Sequence, residues 1–374
     1  MSRAAFRSYS SAAAPLKVAA RDAPGNLTTL SVIVNNAGSK AGKSGVAHLL
    51  SKFNFMNTES KSALRFTRES ELLGGVVSTD VTRDAIVLKT QFLKEDLPYY
   101  VEALGNVLTK TSFRPHELPE TVLPAALNEY ENAHASNAFV ASEALHEISF
   151  RRGYGHPLYY DGTKTYTSED VAQFASEVYT AGNVSIVASG AVEADLVKFI
   201  GESAFSELPT GSTSAVAVKA YTGKEARVRV SGQSLAVIGV PIKPAEFAKY
   251  DILSATIGSA YLPATNTPLF QIPGASSQVY KYQDAGLFVV SVAGSDSAVV
   301  AEGIKKVKAV VDSITASDLS KSVKAAKLAV ALESTLESPL EYAIDASAAK
   351  GGKLSSFNYV AVGDVDVLPF ADEL

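Results

Sequence analysis

Cysteine is absent from all 374 residues. Disulfides, thiol catalysis and cysteine-ligated metals, iron–sulfur clusters included, are therefore excluded. Long apolar runs are missing as well. A membrane-spanning helix needs roughly eighteen apolar residues, and the best runs, residues 235–242 and 286–293, are only strand-length. Contact with a membrane is expected only through partners. There is no surplus of positive charge: 34 Lys and Arg against 39 Asp and Glu leave a formal net charge of −5, so nothing points to a nucleic-acid partner. The chain is 47% hydrophobic and only 20% charged, which suits a protein that buries large surfaces. Its length allows two domains of ordinary size.

Acidic residues are lacking at the start. Residues 1–17 carry Arg3, Arg7 and Lys17, with five Ala, four Ser and no acid before Asp22. An Arg- and Ser-rich, acid-free leader has the composition of a mitochondrial transit peptide. We expect residues 1–17 to be such a leader, cut near residues 9–11, or else a disordered tail.

The stretch that organises the chain is residues 44–58. Val46, Leu49, Leu50 and Phe53 recur at three- and four-residue steps, which predicts a helix with one buried face. His48, Ser51 and Lys52 fall on neighbouring turns and can share a face. An apolar strand, residues 27–34, and a small-residue loop, residues 35–44, come before it. Ala37-Gly38-Ser39-Lys40-Ala41-Gly42-Lys43-Ser44 fits a relaxed phosphate-loop pattern between strand and helix. Against nucleotide binding stand Ala37 in place of the first Gly, the lack of an acidic strand end for magnesium, and the lack of alternating parallel strands and helices. The favoured reading is a mobile loop leading into the helix.

Further along, residues 69–73 read as a helix stopped by Gly74-Gly75. Residues 76–80 and 85–91 form a hairpin, and residues 97–108 an amphipathic helix. Pro115 and Pro119 break the chain before a long helix over residues 123–135. A helix over residues 168–179, capped by Thr167 or Ser168, leads to a buried strand at 183–189 and another helix at 194–205. Pro, Gly, Ser and Thr dominate residues 208–223, which read as an interdomain linker. The second half then repeats the order of elements: strand 235–240, helix 246–257, hairpin 278–282 and 286–292, helices 298–313 and 317–336, closing strand 359–362. The fold class expected is α+β, with two structurally similar halves, each a mostly antiparallel sheet with helices packed on it. The domains expected are 18–207 and 224–374. All five histidines, His48, His116, His134, His146 and His156, fall in the first half. Those other than His48 are read as surface or capping residues.

Gly45-Val46-Ala47-His48-Leu49-Leu50-Ser51-Lys52-Phe53-Asn54-Phe55 resembles the signature helix of the mitochondrial processing peptidase and pitrilysin family of metallopeptidases. Leu145-His146-Glu147-Ile148-Ser149-Phe150, with Gly155-His156-Pro157-Leu158 after it, is similar to a second family run. Active members are inverted zincins with His-x-x-Glu-His. The resemblance implies that two histidines and a distal Glu bind zinc while the Glu between the histidines acts as base. Here the base position is Ser51 and the second-His position is Lys52. The distal Glu lies seventy-seven positions beyond the second His, which falls on Glu129. Catalytic zinc needs three protein ligands and a water. Only His48 and Glu129 remain, and Lys52 places an ammonium where the dication would sit. At ~4 Å and an effective dielectric of about 20, that repulsion is roughly 8 kcal/mol. The expectation is no metal, no hydrolysis, and no catalytic role for His48, Ser51, Lys52 or Glu129. Lys52 is expected to pair with Glu129 in zinc's place.

Within the family, the same stretch through Asn57-Thr58 is most similar to the fungal core subunits of respiratory complex III, ubiquinol–cytochrome c reductase. That likeness spans essentially the whole chain. It implies a peripheral scaffold on the matrix side of the mitochondrial inner membrane, supporting assembly of a dimeric membrane complex. Core protein 1 and the other complex III subunits would be its partners, and it would hold no cofactor of its own. The alternative is a non-catalytic partner subunit of a mitochondrial processing peptidase.

Overall fold

In the computed structural model, residues 9–11, 14–213, 218–335, 338–340, 342–348, 354 and 356–374 are described. They form two compact units, residues 1–131 with 157–216, and residues 132–156 with 217–374.

In the first unit, strands β1 (Tyr9–Ser11), β2 (Ala14–Arg21) and β3 (Leu27–Asn35) precede helices α1 (Val46–Phe53) and α2 (Ala63–Leu72). The hairpin β4 (Val76–Val81) and β5 (Ala85–Leu93) follows, then α3 (Leu97–Thr109) and α4 (Leu123–His134). Helix α5 (Asn137–Phe150) belongs to the second unit, and α6 (Ser168–Val178), β6 (Val184–Ser189) and α7 (Glu193–Glu202) complete the first. The sheet order is β1-β2-β6-β3-β5-β4. Only β2 and β6 pair in parallel. Leu30, Val32 and Val34 of β3, Ile86 and Leu88 of β5, and Val184, Ile186 and Ala188 of β6 enter one core with α1, α3 and α6. Their period of two places them on one face of the pleat.

The second unit contains β7 (Glu225–Arg229), β8 (Ser234–Ile242), α8 (Phe247–Ile257), β9 (Ala275–Lys281) and β10 (Gly286–Gly294). It ends with α9 (Ser297–Ser313), α10 (Ala316–Lys321), α11 (Val323–Glu333) and β11 (Asn358–Gly363). Its sheet order is β7-β11-β8-β10-β9, with β7 and β11 parallel. In both sheets the opening strand of the repeat lies beside the closing one, followed by the second, fourth and third. Omitting β1, the two topologies are identical, so the internal repeat expected from the order of elements is present.

The units differ from the expected 18–207 and 224–374 because both faces of the second sheet are apolar. One face, with Ala236, Ile238, Phe288, Val290 and Ala361, packs on α8, α9 and α11. The other presents Leu235, Val237, Leu287, Val289, Val360 and Val362. That face is covered by Ala141, Leu145 and Phe150 of α5, with Tyr154. Gly239 makes the close approach possible, since a Cβ there would lie 2.6 Å from Leu145 Cδ1. Residues 132–156 therefore join the second sheet, and three of the five histidines go with them. His146 is not a surface residue: it is buried, with Nδ1 2.7 Å from Ser142 O and Nε2 2.7 Å from the Tyr282 hydroxyl.

Other boundaries also move. The leader expected over residues 1–17 overlaps β2, where Leu16 is buried; residues 1–8 and 12–13 lie outside the described residues. The helix expected at 69–73 starts earlier, at Ala63, capped by Ser62, whose hydroxyl accepts from Arg65 N–H. The helix expected at 317–336 is two, because Ser322 separates α10 from α11. Thr167 caps α6 through a reciprocal pair with Asp170.

Truncating Leu145 to Ala should remove about 2–5 kcal/mol of stability by opening a cavity under α5, as read by urea unfolding. A loss below about 0.5 kcal/mol would show that α5 does not anchor there.

Candidate functional site

The site lies in the first unit, where α1 meets α4. Gly45 starts α1 with a left-handed backbone, φ +86, a conformation that favours glycine. A Cβ on Gly45 would lie 2.8 Å from Tyr160 Cδ2, so the residue also lets the segment after Pro157 run close to the helix. Val46, Leu49, Leu50 and Phe53 are buried, but so are Ala47, His48 and Ser51, so α1 is enclosed on every side except at Lys52 rather than on the one face the periodicity predicts. Leu118, Val122 and Ala126 recur every four residues and are buried on the partner face. A wide π-type turn at Leu118–Val122, containing Pro119, leads into α4. Glu129, three residues beyond Ala126, falls on the same face.

His48, Ser51, Lys52 and Glu129 are brought together as expected. His48 is fully buried, and its Nε2 lies 2.7 Å from Glu129 Oε2. Lys52 Nζ contacts that same oxygen. The side chains of Lys52 and Glu129 keep 22% and 36% of their exposure, so this is a rim pair rather than a fully buried one. Ser51 turns back on its own helix and donates to His48 O at 2.7 Å. It has no carboxylate with which to activate water. Tyr160 N–H donates to His48 Nδ1 at 2.9 Å, and the Tyr159 ring stands 4.8 Å from the imidazole.

The electrostatics follow from this geometry. Burial lowers the His48 pKa against the opposing pull of Glu129. The shift favours the neutral imidazole, and with Nδ1 facing the Tyr160 N–H a neutral ring can donate to Glu129 from Nε2. That hydrogen bond, then Lys52, lower the Glu129 pKa from 4.5 to about 2, against partial burial. With the imidazole neutral, Lys52 is the counter-charge of the carboxylate. The residues do not fit a catalytic zinc ion: two ligand-type side chains face each other, and an ammonium fills the third position. Among the described residues no group of three His, Cys, Asp or Glu side chains could hold a metal ion.

The phosphate-loop-like stretch 37–44 is fastened to the β4–β5 turn. Ser39 N–H and Lys40 N–H donate to Thr82 O and Arg83 O at 3.0 and 3.1 Å. Two of the loop's amides are thus spent on the β4–β5 turn rather than left open for an anion. Lys40 is buried and pairs with Asp84 at 2.8 Å. Lys43 is 71% exposed and reaches Asp170 at 3.4 Å. A cleft of roughly 360 Å³ beside this loop, bounded by Asn36, Gly42, Phe174 and Glu177, contains none of the His48 cluster. Sequence reasoning missed Tyr160, whose contribution is a backbone N–H. The only signal was the Pro157-Leu158 turn just before it.

Fold and cradle together define a metallopeptidase body whose ligand set is broken. Residues 17–162 match the family described as Insulinase (Peptidase family M16), and residues 165–327 match the Peptidase M16 inactive domain. The chain belongs to the M16 peptidase family. It is 68% identical, over the full length of both chains, to the protein named "Cytochrome b-c1 complex subunit 2, mitochondrial" of Debaryomyces hansenii. It is 45% identical to the protein of the same name from Saccharomyces cerevisiae, over 96% of each chain. A crystal structure of a peptidase M16 inactive domain from Pseudomonas fluorescens superposes with a TM-score of 0.75, at 16% identity, covering 98% of this chain and 99% of that one. At that identity it shows the fold alone.

Lys52→Ala should cost about 1–2 kcal/mol, between an exposed pair and a buried one. This is less than the 3–5 kcal/mol of a fully buried pair, because both side chains reach solvent. Exposed Lys305→Ala serves as the reference, and equal melting points would remove the pair from the stability of the site. The His48 contribution depends on pH. Its folded pKa is lowered below 6.5, so the stability it adds is present above about pH 6.5 and is lost as pH falls through the folded value. The melting-point gap between wild type and His48→Gln should therefore shrink between pH 7 and pH 5. A constant or widening gap would contradict a neutral His48.

Proposed function

We propose that this chain is a non-catalytic core subunit of mitochondrial respiratory complex III, a scaffold that supports assembly and stability of ubiquinol–cytochrome c reductase. The observation that carries the reading is full-length identity of 68% to a protein named as a subunit of the cytochrome b-c1 complex. The cradle supports the non-enzymatic part: Lys52 fills a ligand position and Ser51 replaces the base. We assign no resident metal or other cofactor to it. Its partners are the other complex III subunits, core protein 1 first among them, within a dimeric complex. Obligate interfaces of that kind often bury more than ~2,000 Å² and are rich in apolar side chains.

The proposed position is peripheral, on the matrix side of the inner membrane. Among the described residues no helix is long and apolar enough to cross a membrane, which agrees with attachment through partners. The acid-free leader agrees with import. If cleavage occurs near residues 9–11, β2 and its buried Leu16 survive in the mature chain.

Recovery of the tagged full-length chain from mitochondrial membranes in mild detergent tests this. The b- and c-type haem spectra of the complex should co-purify with it, and its deletion should lower ubiquinol–cytochrome c reductase activity. A soluble matrix dimer that carries no haem and binds presequence peptides would overturn the proposal in favour of the processing-peptidase partner.

A further inference from the structure

Zinc ligation by histidine places constraints on both ring nitrogens. The ligating nitrogen offers its lone pair, so in a neutral imidazole the proton sits on the other one. That other N–H ordinarily donates to a carbonyl, a carboxylate or water. His48 has the reverse arrangement. Its Nδ1 faces a donor, the Tyr160 backbone N–H at 2.9 Å. Its Nε2 faces an acceptor, Glu129 Oε2 at 2.7 Å. Moving the proton to Nδ1 would set two N–H groups against each other inside a fully buried pocket.

The Tyr160 donor is firmly placed. Gly45 leaves the room that Tyr160 occupies. The Tyr160 hydroxyl donates to Lys164 O at 2.5 Å, and the Tyr166 hydroxyl donates to Ser44 O at 2.6 Å, immediately before α1. Tyr160 and Tyr166 are both buried. The segment that carries the amide is thus tied to the start of the helix that carries His48, and the ring cannot turn away from it without breaking both contacts.

We infer that the Tyr160 amide locks His48 in its Nε2–H tautomer, so that the cradle binds zinc weakly even when the missing ligand is restored. The loss of metal is then written twice. Lys52 replaces a ligand, and a backbone N–H fixes the remaining histidine as a hydrogen-bond donor. The second change is invisible to a side-chain motif. The inference builds on the reading that Lys52 has displaced the metal, and it can fail while that reading stands.

Two measurements test it on the full-length chain. With ¹⁵N-labelled histidine, the long-range proton–nitrogen spectrum of wild type should show His48 protonated on Nε2 and bare on Nδ1. Five histidines make the spectrum simple, and loss of one set of peaks in His48→Gln assigns it. A bare Nε2 with a protonated Nδ1 would overturn the inference outright. Second, Lys52→His and Ser51→Glu/Lys52→His, confirmed folded by circular dichroism, are titrated with zinc against a chromophoric chelator. Affinity should fall at least about 10–100-fold below that of an active family peptidase with the same ligand set. Stoichiometric zinc at that peptidase's affinity would overturn the tautomer lock, while leaving Lys52 as the reason wild type takes no metal. The spectrum of wild type stands by itself if neither variant folds.

Discussion

One carboxylate oxygen holds the candidate site together. Glu129 Oε2 receives the Nε2–H of His48 and the ammonium of Lys52 at once, joining two turns of α1 to α4. A carboxylate so placed stays ionised, with its pKa lowered to about 2. A zinc ion would satisfy the same oxygen by coordination; here a side-chain cation does it from within the chain. The difference is functional. A metal with an open position polarises water, whereas a lysine ammonium completes the charge balance and offers no Lewis acidity. What remains at the cradle is a clamp.

The second unit solves a related problem with different groups. Lys281 of β9 lies 3.0 Å from Asp251 of α8 and also contacts Glu333 of α11. Tyr342 donates to the other oxygen of Asp251. Burial pushes both carboxyls up, against the pull of Lys281. Breaking such a buried network on one side is costly, although its net contribution against an apolar packing is small. It sets the register of α8 and α11 over the sheet, as the Glu129 clamp sets α1 against α4. Each half of the duplicated fold thus fastens its first helix with an internal lysine–carboxylate contact.

The loop at residues 37–44 shows why a pattern of residue types underdetermines chemistry. Small residues, Gly42, Lys43 and Ser44 between a strand and a helix are compatible with a phosphate cradle. The deciding quantity is where the backbone amides point. Gly38 packs so tightly on the β4–β5 turn that a Cβ would lie 2.4 Å from Thr82 O, and the next two amides close hydrogen bonds there. The loop is a fastener between the hairpin and α1.

By itself the sequence determined the local periodicities and the chemistry of individual positions. The buried positions Val46, Leu49, Leu50 and Phe53 of α1, the hairpins, a cap at Thr167 or Ser168 and the repeated order of elements follow from spacing alone. The family resemblance assigns a base and a ligand to the positions of Ser51 and Lys52, and neither side chain has the chemistry for that role. Tertiary structure alone decided three things. Helix α5 crosses to the second unit because the sheet there is apolar on both faces, and only pairing reveals which residues share a face. Residues Ala14–Arg21, which overlap the expected leader, form β2 and pair in parallel with β6 over Lys17–Arg21, a pairing only the fold shows. The proton position on His48 is set by a main-chain amide 112 residues away. Every residue except proline carries the same N–H, so only the folded path of the chain says where it is aimed.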